Sequence, residues 1–341
     1  MIEKPLVSII CPIYNEEGFI ARCIDSILLQ DYPQDKIELF LVDGRSEDNT
    51  REIVSSYAKK YNYIHLLDNP DKIVPPALNK GIQESKGEVV IRIDGHCIYP
   101  SNYISILVHY LYKLNASNVG AVWNTIPARD TSLCKSIAIA VSHKFGIGDS
   151  LHKVGAKSIV QTDTVPYGCF RREVFEKIGL FDNDLIRNQD DEFNGRIIKN
   201  GGKIFLIPEL VIDYYARENI KKMAKMFYQY GLFKPLVNKK LGAPATIRQF
   251  FPLLFLLGII IGGAWSFFTP MIRNIYCSVL IIYFLLSFFF SLKEVIKNKD
   301  IKILFYLPIL FPIIHLSYGW GYLKGLIKII RKKSFQVQTS R

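Results

Sequence analysis

Three short polar clusters interrupt the first hundred residues: Tyr14-Asn15-Glu16, Asp43-Gly44 and Asp94-Gly95-His96. Each follows directly on an apolar run, LVSIICPI, IELFLV and EVVIRI in turn. Carboxylates presented at strand ends are hard oxygen donors of the kind that suit magnesium or manganese. Further on, Asn188-Gln189-Asp190-Asp191-Glu192 offers three adjacent carboxylates, each able to accept a proton from a hydroxyl. A single strand-end aspartate is more often a turn or cap residue, and acidic residues are favoured in any first helical turn. Three polar tips on successive strands carry more weight, provided that the strands run in parallel.

The surrounding pattern supplies such strands. Leu6–Tyr14 reads as a strand, Phe19–Leu29 as an amphipathic helix, Ile37–Val42 as a second strand and Asn49–Tyr61 as a second helix. A strand at Ile64–Leu67, a helix opened by Pro75-Pro76 and running to Ser85, and a strand at Glu88–Ile93 follow. This alternation predicts βαβ units and a mainly parallel sheet. In such sheets ligands sit beyond the carboxyl ends of the strands, so the three tips should converge. PIYNEEG lacks the glycine fingerprint of a dinucleotide fold. Past residue 100 the pattern loosens into a strand at Val119–Trp123, a helix at Cys134–Phe145, a loop with a short strand at Thr162–Phe170, and a loop leading into a helix over Arg187–Asn200. Lys203–Ile207 and Leu210–Tyr215 read as two final strands, and Ile220–Lys240 as a basic helix. In the acidic helix, Asp190 shares a face with Phe193 and Ile197, whereas Glu192 lies four before Arg196 at ion-pair spacing. Asn188 is placed to cap it.

In their order these blocks resemble family 2 glycosyltransferases. VSIICPIYNEEGFIARCIDSIL is similar to the first strand and helix of that family, and LVDGRSEDNT to its VDDGSxDxT turn. NKGI followed by GEVVIRIDGH resembles the approach to its DxD motif, and NQDDEFNGRI its acidic helix start. DGHCIYP, AVWNT, SHKFGIGDS, DTVPYG and RNQDDEFN together resemble the bacterial exopolysaccharide glucosyltransferases of the succinoglycan type. The resemblance covers about residues 1–240 and implies an α/β domain of the A-type glycosyltransferase fold, Rossmann-like with a mainly parallel sheet. It implies inverting transfer of a hexose from a nucleotide-sugar donor, a UDP-sugar, to a lipid-linked glycan acceptor in exopolysaccharide or cell-surface glycan synthesis. Asp94 then faces the donor diphosphate and a divalent cation, Mn2+ or Mg2+, which neutralises the leaving group. His96 replaces the second aspartate of the family motif, as a metal ligand or a hydrogen-bond partner of a phosphate. Asp43 would receive the nucleobase, with Pro12, Tyr14 and Glu16 lining the same pocket. Asp190 is the implied base, selected also by the match of Arg196 to the helix arginine of the family, with Asp191 next. Asp163, Tyr167 and Gly168 fall on the acceptor side. Gln229 alone survives from the QxxRW motif of processive relatives, with Leu232 and Phe233 replacing Arg and Trp, which favours a single sugar addition. A polyprenyl-phosphate sugar synthase needs no strong base and is the alternative enzyme. An inactive nucleotide-sugar-binding scaffold is the other, against which Asp43, Asp94 and Asp190 argue.

The composition divides near residue 248. Before it charges are evenly spread; after it Phe251–Phe268, Ile275–Leu292 and Ile303–Leu323 are apolar runs long enough to approach a bilayer crossing. The expected division is a cytoplasmic catalytic domain over 1–240 and a membrane anchor over 241–341. Gly258 and Gly262 have a small-xxx-small spacing that suits helix packing. The net charge of +12 gathers beside the apolar runs, as at Lys234, Lys239, Lys240, Arg248 and Lys324 to Lys333, so membrane lipids and not nucleic acid are the expected partners. Other polysaccharide-assembly enzymes are further expected partners. Met1-Ile2-Glu3-Lys4-Pro5 leads straight into a strand, without the pattern of a signal peptide, which places the first domain in the cytoplasm. The six scattered cysteines are read as reduced thiols. Pro308 and Pro312 suggest that the third apolar run is broken into a re-entrant or interfacial hairpin, leaving the basic tail on the cytoplasmic side.

Overall fold

The computed structural model describes residues 4–244 and 246–335. The chain divides into two compact units. The first runs to Asn124 and resumes over Gly155–Asp213; the second comprises Thr125–Val154 and Tyr214–Phe335. The compact units therefore do not part at residue 240. A stretch from the middle of the chain joins the C-terminal helices in one unit.

The first unit is built on a sheet of order β3-β2-β1-β4-β7-β5-β8-β6. Strands β1 (Val7–Ile13), β2 (Ile37–Asp43), β3 (Ile64–Asp68) and β4 (Val89–Arg92) pair in parallel, joined by α1 (Ile20–Leu28), α2 (Thr50–Lys60) and α3 (Val74–Glu84). The side chains of β1, β2 and β4 are mostly apolar and almost wholly buried, as a parallel sheet covered on both faces requires, whereas those of β3 at the sheet edge are largely half-buried. Gly81 lets α3 approach the sheet, since a Cβ there would stand 2.4 Å from Ile10. After α4 (Tyr103–Lys113), β5 (Asn118–Ile126) and β7 (Cys169–Arg171) run antiparallel to each other, and β7 runs antiparallel to β4. Helix α4 was not foreseen from the sequence, nor was α8 (Arg172–Ile178), which follows β7 directly. The acidic helix α9 spans Gln189–Lys199. The two last strands expected from the sequence are one, β8 (Ile204–Tyr215), paired near its start with the two-residue β6 (Val160–Gln161). Pro208 does not break it: its fixed φ suits extended chain, and its missing N–H falls beyond the register with β6, which ends at Leu206.

The second unit holds α5 (Ser132–Ala140), α6 (Lys144–Ile147), α7 (Leu151–Val154) and α10 (Ile220–Leu241). Three helices long and apolar enough to cross a membrane follow. The first spans Ile247–Trp265, with α11 (Phe251–Leu257) and α12 (Gly263–Trp265) joined by a π-helical turn at Gly258–Gly262. The others are α13 (Pro270–Asn298) and α14 (Ile303–Ile330). Of the glycine pair proposed for packing, Gly258 has nothing within 4 Å, whereas Gly262 faces Tyr276. The expected break in the third apolar run is absent: α14 is continuous through Pro308 and Pro312. A proline forfeits one helical hydrogen bond, and here the surrounding packing holds the helix together. That packing is a core of Ile137, Ala140, Met226 and Phe227 against Leu307, Leu310, Phe311 and Ile314.

Candidate active site

Parallel register places the tips together. Ile13 lies opposite Asp43 and Ile10 opposite Arg92, so Tyr14, Asp43 and Asp94 leave the sheet on one edge. The antiparallel β7 starts at that same edge: Ile91 pairs with Cys169, and the Arg92 amide donates to the Gly168 carbonyl at 3.0 Å. The chain order reverses between β1 and β4, and that switch point is the usual ligand position in an open α/β sheet.

Asp43 is fully buried and accepts from the Ser46 amide, from Ser46 Oγ at 2.5 Å and from Arg51 Nη1 at 2.9 Å. Arg51 also reaches Asp68 at 3.2 Å, and these bonds lift the guanidinium above its ordinary pKa. Ser46 Oγ accepts from the Asn15 amide at 2.9 Å, which ties the β1 loop to the β2 loop. Pro12 lies within β1 opposite Val42, and Lys72 stands over the Tyr14 ring at 5.7 Å. The Glu16 side chain is buried and meets His96 Nδ1 at 3.3 Å, while its amide donates to Thr50 Oγ1 at 2.7 Å. The first two sequence clusters and the third are thus linked through side chains.

The second half of the site centres on Arg92, only 7% exposed. One guanidinium nitrogen binds Asp190 in a very short contact, and another binds Asp94 at 3.2 Å. Its face lies 5.4 Å from the Tyr167 ring, which packs in turn against Trp123. Burial would lower the Arg92 pKa, but the Asp190 and Asp94 carboxylates outweigh it and raise it. At Asp190 burial lifts the carboxyl above the usual carboxylate range. Arg92 opposes that rise, while Asp94 and Asp191 add to it.

Helix α9 holds Asp190 firmly. Phe193 is fully buried and stacks on Phe181 at 4.4 Å and on Phe175 at 5.1 Å. Glu192 is taken by Arg196 at 2.7 and 2.9 Å, as the spacing predicted, and Arg196 goes on to the carbonyls of Ile178 and Leu180. Asn194 binds Asn118 on β5 and reaches Thr164 and Val165, which fixes the loop holding Asp163 and Tyr167 against the helix. Thr162 Oγ1 donates to Asp163 at 3.2 Å. Gly168 is a close-packing glycine, because a Cβ there would lie 2.4 Å from both Asn118 and Phe170. Asn188 occupies the cap position in a left-handed conformation with φ 61°, and its side chain makes no capping bond. Asn15, Arg45 and Tyr167 share that conformation, with φ between 49° and 58°. Each such residue costs roughly 1–2 kcal/mol, and all four adjoin the clusters described here.

Asp191 is half-buried on the next position of α9, while Gln229 lies buried on α10 in the second unit. Arg51 and Arg92 escaped the sequence reading. A charge within the apolar run EVVIRI was the available signal, since a buried charge requires a partner.

The family model for glycosyl transferase family 2 matches residues 8–179. A dolichyl N-acetyl-alpha-D-glucosaminyl phosphate 3-beta-D-2,3-diacetamido-2,3-dideoxy-beta-D-glucuronosyltransferase from Methanococcus voltae is 30% identical, with 94% of this chain and 97% of that protein aligned. The succinoglycan biosynthesis protein ExoA of Rhizobium meliloti is 28% identical over 72% of this chain and 74% of its own. Among solved structures, a mannosyltransferase from Pyrobaculum calidifontis in complex with GDP-Man and Mn2+ superposes with a TM-score of 0.63 at 19% identity, covering 95% of this chain and 88% of that one.

Proposed function

Because the chain belongs to glycosyl transferase family 2, we propose that it transfers a hexose, with inversion, from a nucleotide sugar to a lipid-linked saccharide. The chain is a glycosyltransferase of the A-type fold. The observation that carries the finer reading is the Asp94–Arg92–Asp190 chain, in which one buried guanidinium spaces a strand-end carboxylate from a helix-start carboxylate. Asp190 is the base: its carboxylate takes the proton of an acceptor hydroxyl as that oxygen attacks the anomeric carbon. The bond from that carbon to the diphosphate breaks on the opposite face, and its electron pair leaves with the nucleotide. Arg92 keeps Asp190 aimed and favours its ionised form, and Tyr167 supports the guanidinium. Asp43, Tyr14 and Pro12 shape the nucleobase end, and Asp163, Tyr167 and Gly168 the acceptor end.

A divalent cation, when bound, would neutralise the charge growing on the diphosphate. Asp94 and His96 would hold it. Among the described residues no three His, Cys, Asp or Glu side chains form a metal cage. A carboxylate beside an imidazole would suit manganese better than magnesium, which prefers oxygen donors throughout. A lipid-linked acceptor accords with the dolichyl-linked substrate named for the Methanococcus voltae relative, which aligns through the apolar helices too. The catalytic unit stands on the cytoplasmic side, where nucleotide sugars are made and where Lys293, Lys297, Lys299 and Lys302 would follow the positive-inside rule.

The test is product analysis with the full chain in vesicles, a set of radiolabelled nucleotide sugars, and polyprenyl phosphate with or without a first sugar. Label moving onto the sugar-bearing lipid, with an inverted anomeric configuration by NMR, is expected. Transfer to bare polyprenyl phosphate would instead mark a sugar-phosphate synthase. Nucleotide binding with no product from any donor would mark a scaffold.

A further inference from the structure

The packing inside the second unit sets α14 apart from the other two apolar helices. The helical stretch through α11 and α12 forms an antiparallel pair with α13: Phe255 stacks on Tyr283 at 4.5 Å, and Gly262 faces Tyr276. Trp265, Phe267, Phe268 and Met271, around the turn of this hairpin, are exposed. The contacts of α14 fall at the hairpin's open end. From α11, a Cβ on Gly319 would stand 2.3 Å from the Pro252 carbonyl, and Phe255 meets the His315 ring. From α13, Tyr283 bonds His315 at 2.8 Å and Ser287 donates to the Pro308 carbonyl. Along each arm, residue numbers rise as those of α14 fall, although the arms oppose each other. Only a helix lying across the hairpin meets both arms in that sense.

Helix α10 gives the second constraint. A Cβ on Gly321 would lie 2.1 Å from the Tyr228 carbonyl, and one on Gly325 2.4 Å from that of Leu232 and 3.0 Å from Pro235. The two helices therefore run side by side in the same direction. A hairpin returns to the side it left, so α14 starts on the side where α10 ends. In the register that these contacts set, the end of α14 lies beside the end of α10, which puts both ends of α14 on one side. The α10 lysines, Lys221, Lys222, Lys225, Lys234, Lys239 and Lys240, suit a place on that same side.

We infer that α14 does not cross the bilayer but lies in its interface beside α10, and that the α11–α13 hairpin alone spans it. The inference rests on the membrane reading above. The occupant of its outer face is lipid. Phe305, Ile309, Leu316, Trp320 and Ile327 fall within about 60° of one another on the helix, with Phe305, Ile309 and Trp320 exposed. Lys324 stands over the Trp320 ring at 4.9 Å, and Lys328, Arg331, Lys332 and Lys333 follow towards anionic headgroups.

Single reporter cysteines test this in the full chain, in sealed vesicles of one orientation, after Cys277→Ser removes the exposed native thiol. Lys302→Cys and Lys333→Cys should react with an impermeant maleimide from one side, and Phe268→Cys from the other. Each variant is first checked for an unchanged thermal transition. Reaction of Lys333→Cys on the Phe268 side would overturn the inference, because α14 would then cross. Reaction of all three from one side would remove the spanning hairpin itself, and the membrane reading with it. A spin label on Ile309→Cys gives depth independently: a headgroup-level position is expected, and a position at the bilayer centre overturns the inference.

Discussion

A buried guanidinium at the end of an apolar strand needs partners, and Arg92 has two carboxylates that the proposed chemistry uses. Asp190→Asn keeps the shape of the side chain and removes its basicity. Transfer should fall by roughly a hundred- to ten-thousand-fold, while UDP binding by calorimetry stays within a few-fold. Retained turnover there, with loss in Asp191→Asn, would move the base one residue along. Because burial raises the Asp190 carboxyl, the acid limb of kcat/KM should lie above the ordinary aspartate value of about 3.9. Below that limb the base is protonated and idle; activity rises as pH climbs through it. Arg92 opposes the rise, so Arg92→Gln should shift the limb to higher pH as well as slow turnover. A purely structural arginine would lower the amount of folded enzyme without moving the limb. The Glu192–Arg196 pair was legible in the sequence, since helical spacing sets the two residues one turn apart. Arg92 was missed because attention fell on the polar cluster that follows EVVIRI, and its signal lies inside that run.

Among the elements, the βα alternation was readable to within a residue or two for β1 to β4, because each strand is a short apolar run between helical patterns. Helix α4 was not: in YISILVHYLYK the inward stripe of Tyr103, Ile104, Leu107, Val108 and Leu111 is masked by Ile106, Tyr110 and Tyr112, which lie outside it and make the helix apolar around much of its circumference. Pro308 and Pro312 misled in the opposite direction, since a local breaker was overridden by packing along the whole helix. That packing makes a sharp prediction about glycines. Gly231→Ala would put a methyl 2.1 Å from the Tyr318 carbonyl, so α10 and α14 must separate. A loss of about 1–3 kcal/mol or more is expected, read as a lowered thermal midpoint in detergent. Gly258→Ala, with open space around it, should be neutral or gain up to about 1 kcal/mol of helix propensity.

At the scale of the whole molecule, the change of composition near residue 248 announced the apolar helices but not the boundary of the unit that contains them. Nothing in SLCKSIAIA marks α5 as a partner of a helix that begins some 160 residues later; only the long-range core of Ile137 and Ala140 with Leu307 and Phe311 reveals it. The proposed cation is also tested on the intact enzyme. Exhaustive chelation should abolish transfer and manganese restore it, with Asp94→Ala more damaging than His96→Ala; full activity after chelation would remove the cation from the mechanism. The shared core bears on how the protein can be handled. Cutting the chain after Leu241, the natural way to seek a water-soluble catalytic fragment, strips Ile303, Leu307, Leu310, Phe311 and Ile314 from α5 and α10. Each buried side chain of that kind contributes roughly 1.5–3 kcal/mol, and the bared surface is a continuous apolar patch of the kind that drives aggregation. Such a fragment should elute in the void volume without detergent. A fragment that keeps α14 through a short linker in place of Ile247–Asn298 should stay monodisperse once detergent covers the lipid-facing side chains of α14, because what the catalytic chain loses on truncation is a piece of its own interior.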